Sequence, residues 1–496
     1  MIEAYIPDFY RILPEVILIL AALGMLIEGS FRKITDSKLT ARFCRNAIVA
    51  IVIAVVVLCI QHKSGENWVT FEGQIVQDDF IFLAKLLILV GSAAVLAISI
   101  PSLAKEQILS FEYAVLVLFA TVGMLLMVEA NDFISLFVGL EMQGLSLYVL
   151  AAINRDQLSS SEAALKYFVL GAISTCLYLY GTSLLYGFAG STSFDVIGAV
   201  IRVESAVGLP LGFIIALVFI IASLAFKVSA VPFHMWTPDV YQGCPTAITA
   251  FIAAAPKVAG MIVFLRILVL PFILMYGEWQ AIIVFLSFAS MVLGAFAALR
   301  QTDIKRLLAY SSIGQMGYVL LGVAAGNDDG IQAVFVYITL YLVMIIGTFG
   351  CLLSLRGKGH FGVQNLQDLS GISTLHPKIA FILAAFMFSL AGIPPLAGFF
   401  AKLYVFKAAI SAGLFGLAII GVLTSVVASY YYLKIVKIMY FDEVPAAPTI
   451  TFGQSVVVSP EMIVVLNACG IIILFFFIYP NPLLEMAQRA ALALPI

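Results

Sequence analysis

The sequence predicts an all-α polytopic membrane protein with about fourteen transmembrane helices, and three observations carry that prediction. Only 11% of the 496 residues are charged and 63% are hydrophobic, whereas an ordinary soluble domain carries roughly 25% charged residues. So little charge cannot coat the several soluble domains that a chain of this length would otherwise make. Apolar runs of the roughly 20 residues needed to cross a bilayer recur throughout. These runs are continuously apolar, as from Ile48 to Cys59 and from Ile471 to Ile478, where barrel strands would alternate in polarity over about ten residues.

The runs begin near residues 11, 45, 78, 111, 131, 163, 209, 248, 280, 306, 330, 378, 413 and 459. Short loops separate them, and none is long enough to be a soluble domain. Asn131-Asp132, Ser159-Ser160-Ser161-Glu162 and Asn327-Asp328-Asp329-Gly330 supply caps and turns at the predicted helix starts. The first run, from about Ile12 to Leu26, contains Glu15 and lacks a basic flank, so it reads as a retained span rather than a cleaved signal peptide.

The charges narrow the function classes. With 26 Lys+Arg against 28 Asp+Glu there is no basic excess to neutralise nucleic-acid phosphates, and no nucleic-acid partner is expected. Cys44, Cys59, Cys176, Cys244, Cys351 and Cys469 are far apart, form no C-x-x-C and have no His at ligand spacing. They read as small buried apolar residues, not as metal or Fe–S ligands. If loops alternate across the membrane, 16 basic residues fall on one side, including Lys33, Lys105, Lys305, Arg306, Arg356 and Lys358. Six fall on the other: Arg11, Lys63, Arg202, Arg266, Lys407 and Arg489. The richer side is then the cytoplasm or matrix. Both termini fall on the opposite, periplasmic or intermembrane-space side, as an even number of spans requires. Four basic residues remain inside spans: Lys85, Lys227, Lys257 and Lys402.

Those four and Glu141 are the informative residues. Glu141 lies about ten residues from either end of its span, too deep to snorkel. A charge there costs about 3 kcal/mol on insertion scales, so it is expected to face a bundle interior or a hydrated path with a partner. Lys227 precedes Pro232, which must interrupt its helix and so offers water and free carbonyls around a cavity; snorkelling is the rival reading. Lys257 follows Pro256 in a run of small residues that permits close helix packing, with the same rival. Lys402 follows a break at Pro394-Pro395, whose flanking apolar segments are each too short to cross alone, as in the discontinuous helices of transporter ion sites. His234, beside Pro232, is either a proton relay or a loop residue. Lys85, Glu15 and Glu129 lie nearer span ends and read as structural. Desolvation works against the charged form of buried Glu and Lys while an opposite charge restores it, so a Glu141–Lys227 pair would be a proton switch.

A weak internal repeat accompanies the two breaks. Lys227 and Lys402 are 175 positions apart, Glu141 and Gln315 are 174 apart, and the Ser-Leu-Ala tripeptides at Ser223 and Ser389 are 166 apart. An offset spanning five helices would invert the second copy in the membrane.

The run from Phe226 to Asp239, followed by Tyr241 to Thr246 and Ala255-Pro256-Lys257, strongly resembles the antiporter-like subunits of respiratory complex I, the N type (mitochondrial subunit 2 type) among them. Lys166 to Ala172, Lys305 to Gly314 and Ala391 to Lys402 extend the resemblance over essentially the whole chain. The resemblance implies fourteen helices, two inverted five-helix repeats and broken helices seven and twelve. It matches Glu141, Lys227, Lys257 and Lys402 to that family's proton-transfer residues and leaves Lys305 and His234 as possible relays. A lysine in helix twelve, and no long lateral helix after the last span, favour the N type over the M and L types.

The implied organisation is an N-terminal three-helix segment (1–110), a first repeat (111–270), a second repeat (280–440) and a C-terminal loop with the last helix (441–496). The implied function is a non-redox, proton-translocating subunit of NADH:quinone oxidoreductase in an energy-transducing membrane. NADH, FMN, Fe–S clusters and quinone are then expected in other subunits and none in this chain, which has no Gly-x-Gly-x-x-Gly after a strand. Expected partners are lipids and other membrane-arm subunits, including a second antiporter-like subunit and the K-type and J-type small subunits. The alternatives are an Mrp-type cation/proton antiporter subunit and a purely structural membrane spacer.

Overall fold

The computed structural model describes residues 8–32, 37–103, 108, 110–206, 208–355, 363–443 and 458–494. Lys33, Lys105, Arg356 and Lys358, counted above as loop residues, lie outside the described residues.

Three helices open the chain: α1 (Leu13–Ser30), α2 (Ser37–Gln61) and α3 (Asp79–Leu103). An antiparallel hairpin that the apolar pattern did not signal joins the last two, with β1 (Trp68–Thr70) pairing Trp68 to Gln77 and Thr70 to Ile75 of β2 (Ile75–Gln77). Next come α4 (Glu112–Glu129), α5 (Phe133–Ala151), α6 (Leu158–Ala189), the short α7 (Phe194–Ser205), α8 (Leu211–Val228), α9 (Trp236–Gly243), α10 (Thr246–Ala253) and α11 (Ala255–Val269). The remainder is α12 (Tyr276–Leu299), α13 (Ile304–Ala325), α14 (Asp328–Ser354), α15 (Ile372–Leu375), α16 (Pro377–Ala391), α17 (Ala397–Ser411), α18 (Phe415–Phe441), α19 (Pro460–Phe475) and α20 (Asn481–Leu492).

Among the described residues, 12 helices are long and apolar enough to cross a membrane, with α10 and α11 counted as one; α16 and α19 are apolar but shorter. Reaching fourteen takes α16 and α17 as one broken crossing and α19 as the last.

The caps follow the sequence in part. Asp132 accepts the backbone N–H groups of Ile134 and Ser135 at 2.7 and 3.2 Å, and Asn327 accepts that of Gly330 at 2.8 Å. At the serine run the expectation fails: α6 starts earlier, and Ser160 instead donates to Ala151 O at 2.7 Å, tying α6 to the end of α5.

Burial sorts the helices into a core and a perimeter. The α10–α11 crossing is wholly buried, and α13 and α14 nearly so. On the outside, α2 exposes Val49, Val52, Ile53 and Val56, and α18 exposes Ile419, Leu423 and Val426, helical-period apolar stripes suited to hydrocarbon. Glycines set the closest approaches: a Cβ on Gly123 of α4 would lie 2.5 Å from Gln143 N of α5, and one on Gly294 of α12 would lie 2.6 Å from Gly314 N of α13.

Backbone patterns recur along the chain. The backbone of Asp132 bridges Ser193 and that of Asp303 bridges Asn365, so the two pairs are 171 and 172 positions apart. At the helix breaks the offset is different. Ser229 N–H donates to Phe226 O and Ala230 N–H to Ala225 O; Gly392 N–H donates to Ser389 O and Ile393 N–H to Phe388 O, each 163 positions on. Loops and turns of unequal length change the register between these points, which is why neither 175 nor 166 is the offset at the breaks.

Candidate functional site

The first break forms where the sequence placed it. Helix α8 ends at Ser229, a non-glycine residue in left-handed backbone (φ 63°), and helix resumes only at Trp236. Its last carbonyls lack the partners of a continuing helix. Phe226 O accepts both the Ser229 N–H that closes the last turn and Trp236 Nε1, the latter at 3.0 Å. Thr237 Oγ1 donates to Ser229 Oγ at 2.5 Å, and Lys257 Nζ of α11 donates to the same hydroxyl. The Lys257 ammonium sits 5.0 Å from the centre of the Trp236 ring, a cation–π contact. Lys257 is 1% exposed, which rules out snorkelling. His234 lies in the same break, half-buried, and its Nδ1 has no partner among the described residues.

Lys227 is half-buried on the last turn before the break. A Cβ on Gly144 of α5 would lie 3.4 Å from its Nζ, and Glu141 is one turn earlier on α5. Glu141 is also half-buried and accepts from Thr175 Oγ1 of α6 at 2.6 Å. The switch pair expected from the sequence is therefore adjacent but not in ion-pair contact.

Lys402 occupies the second break from the other side. It sits on α17, after the interruption, and donates to Leu390 O at 3.1 Å and Ala391 O at 3.0 Å, the unpaired carbonyls that end α16, and to Ser425 Oγ at 2.8 Å. The C-terminal end of a half-helix carries partial negative charge, which favours the ammonium. Gly392 makes room: at φ +88° a Cβ there would lie 3.0 Å from Lys402 Cδ and 3.2 Å from Nζ.

Lys305 was counted among the loop cations, yet it is buried at the start of α13 and donates to Cys244 O, just past the end of α9, at 2.7 Å. It lines an open polar cavity of about 440 Å³ with Glu162, Lys166, Asp239 and Arg306. Asp239 accepts from Lys166 at 2.8 Å and from Arg306 at 2.7 Å.

At the second break lies a buried hydroxyl and amide network that the charged residues did not signal. On α13, Ser311 and Tyr432 share a 2.5 Å bond and Ser312 and Tyr341 a 2.8 Å bond. Gln315 donates to Tyr432 Oη at 3.1 Å and to Leu390 O at 3.3 Å, and accepts from Tyr337. Leu390 O is thus shared by Gln315 and Lys402. Hydroxyls both donate and accept, so such a row can pass protons between ammonium groups. The signal available in the sequence was polar residues at helical spacing, 311, 312 and 315, in an otherwise apolar span.

Three further predictions need correcting. Lys85, expected near a span end, is instead fully buried, 2.8 Å from Glu15 and bonded to Glu129. Arg266, assigned to a loop, is buried in α11 and donates to Val128 O at 2.6 Å. Cys59 and Cys176 are exposed, not buried.

Comparison with known proteins places the chain in a family. Residues 130–428 match the family described as NADH:quinone oxidoreductase/Mrp antiporter, TM. NADH-quinone oxidoreductase subunit N of Parvibaculum lavamentivorans is 50% identical over 489 residues, covering 99% of this chain and 98% of that one. A chain of respiratory complex I from Thermus thermophilus superposes with a TM-score of 0.77 at 29% identity, over 96% of this chain and 99% of that one. A chain of the Mrp complex from Dietzia sp. shares the fold, with a TM-score of 0.81 at 22% identity over 98% and 97%. The chain belongs to the antiporter-like membrane-subunit family of NADH:quinone oxidoreductases, and within it to the subunit N family.

Proposed function

We propose that this protein is a proton-translocating, non-redox subunit of a membrane-bound NADH:quinone oxidoreductase. The observation that carries the mechanism is that buried Lys257 and Lys402 are each hydrogen-bonded to groups that helix breaks expose, with Gln315 sharing Leu390 O with Lys402. Glu141 and Lys227 form the coupled pair at one end, Lys257 the bridge, and Lys402 the terminal exchange site. Lys305 is the relay from the polar cavity on the basic-loop side, and His234 a second relay at the first break. Redox energy arrives from neighbouring subunits as shifts in these pairings; NADH, flavin, Fe–S and quinone chemistry belongs to those subunits.

The architecture we assign is fourteen crossings: residues 1–110 as a three-helix segment, 111–270 and 280–440 as inverted repeats, and 441–496 as the C-terminal part. The recurring backbone bridges and breaks support the repeats. Both termini are placed on the outer side of the energy-transducing membrane. The partners are a second antiporter-like subunit, the K-type and J-type small subunits, and lipids.

The Mrp-like fold favours one rival, a cation/proton antiporter. Mild-detergent extraction with identification of copurifying chains, together with reconstitution of the single chain, separates the two. Peripheral redox proteins in the complex, and no Na⁺- or K⁺-driven proton flux by the chain alone, are the expected results. Cation-driven flux by the isolated chain would overturn the assignment.

A further inference from the structure

Beneath the hairpin, away from the lysine row, three helices bring one ammonium and two carboxylates together out of contact with solvent. Lys85 of α3 lies 2.8 Å from Glu15 Oε1 of α1 and bonds Glu129 Oε2 of α4. Glu15 Oε2 and Glu129 Oε1 are buried and take no hydrogen bond from a described residue. One carboxylate suffices to neutralise a buried lysine, and a second carboxylate without a full set of donors is costly.

The surrounding charges do not remove that excess. From α11, Arg266 is committed to Val128 O and faces Glu129, Asp78 and Asp195 together. Asp195 of α7 accepts from Asn131, Asp78 accepts from Ile81 N–H, and Asp79 of α3 lies 3.3 Å from His62 at the end of α2. The site therefore has room for one more positive charge, and beside an ammonium only a proton is small enough to supply it.

The site also has a route to water. A cavity of about 20 Å³ reaches from the exposed Lys63 and Glu66 past His62, Gln77 and Asp78 to Lys85, which is room for about one water molecule.

We propose that Glu15, Lys85 and Glu129 form a proton-binding site that exchanges with the aqueous phase on the hairpin side through this cavity, separate from the lysine row. Loading forms one O–H bond at an unpartnered carboxylate oxygen and turns a hydronium ion into water; release reverses it, with no redox partner. Helix α11 links the two systems, since it carries Lys257 near its start and, through Arg266, touches the residue before Glu129. Proton binding here does not require the lysine row to conduct, so the two readings can fail separately.

The test is infrared difference spectroscopy of the purified complex during pH titration. A titrating carboxylic-acid C=O band is expected that Glu129→Gln or Glu15→Gln removes and Glu141→Gln leaves in place. If neither substitution removes a titrating band, the site is a structural ion pair and the proposal is overturned. Gln77→Leu leaves the three charges intact, though it also removes an amide that faces Glu129 and donates to Arg11 O; in a complex whose assembly is unaffected it checks the route through the exchange rate of the band, not its position. It is expected to slow hydrogen–deuterium exchange of that band by about tenfold, because the apolar side chain displaces a bridging water without replacing its hydrogen bonds; an unchanged exchange rate would overturn the route.

Discussion

Lys402 owes its position to a residue ten places earlier. Gly392 adopts a backbone conformation that costs an L-residue about 1–2 kcal/mol, and an added methyl would meet the lysine head. Gly392→Ala is expected to destabilise the protein by that amount and to displace the ammonium from Leu390 O and Ala391 O, lowering proton pumping. Gly190→Ala is the control: it has the same left-handed backbone (φ +68°) but open space around the Cβ, so it should lower thermal stability without a pumping defect. Equal pumping losses in the two variants would count against a role for Lys402 geometry. The charges of Glu141, Lys227, Lys257 and Lys402 were legible in the sequence because each interrupts an apolar run. Their partners were not, because backbone carbonyls and hydroxyls carry no charge signature. Lys85 and Arg266 were misread for a related reason: distance along a helix gives depth in the membrane, not what packs from the side.

At the scale of elements, α13 joins the two breaks. Gln315→Leu removes donors to Tyr432 and Leu390 O and the acceptor for Tyr337. It should reduce pumping by several-fold while quinone reduction is retained, since each buried polar group left unpaired costs about 1–3 kcal/mol. Vesicle acidification measured beside NADH oxidation checks this, and undiminished pumping would place the proton path elsewhere.

The hairpin makes a separate, pH-dependent prediction. His62 stacks on Phe82 with ring centres 3.6 Å apart and lies 3.3 Å from Asp79. Burial pushes its pKa below the usual value; Asp79 opposes this and Arg489 adds to it. A histidine that binds protons more weakly when folded contributes stability fully above its ordinary pKa, about 6.5, and loses it as pH falls through that value. Amide exchange across Trp68–Gln77, corrected for intrinsic rates, should accelerate on acidification, and His62→Phe should abolish the change. Constant protection in the wild type would contradict it. The long helices and both breaks were readable from hydropathy and proline placement, whereas this hairpin and α7 were not, being too short and too mixed in polarity to leave a periodic signal.

For the molecule as a whole, orientation is the link between chemistry and energy conversion. In the orientation proposed above, the hairpin lies on the outer face and the cavity at Lys305 on the inner face. A cysteine introduced at the exposed Ser64 should react with an impermeant thiol reagent added to intact cells or right-side-out vesicles, against a background variant lacking Cys59 and Cys176. Reaction only in inverted vesicles would reverse the assigned direction. The claim that matters most is that protons cross through the buried lysine row. The ratio of protons moved to NADH oxidised, measured in vesicles carrying fully assembled Lys257→Met complex, tests it most directly. A fall in that ratio with quinone reduction still detectable is the expected result; a wild-type ratio would contradict the account.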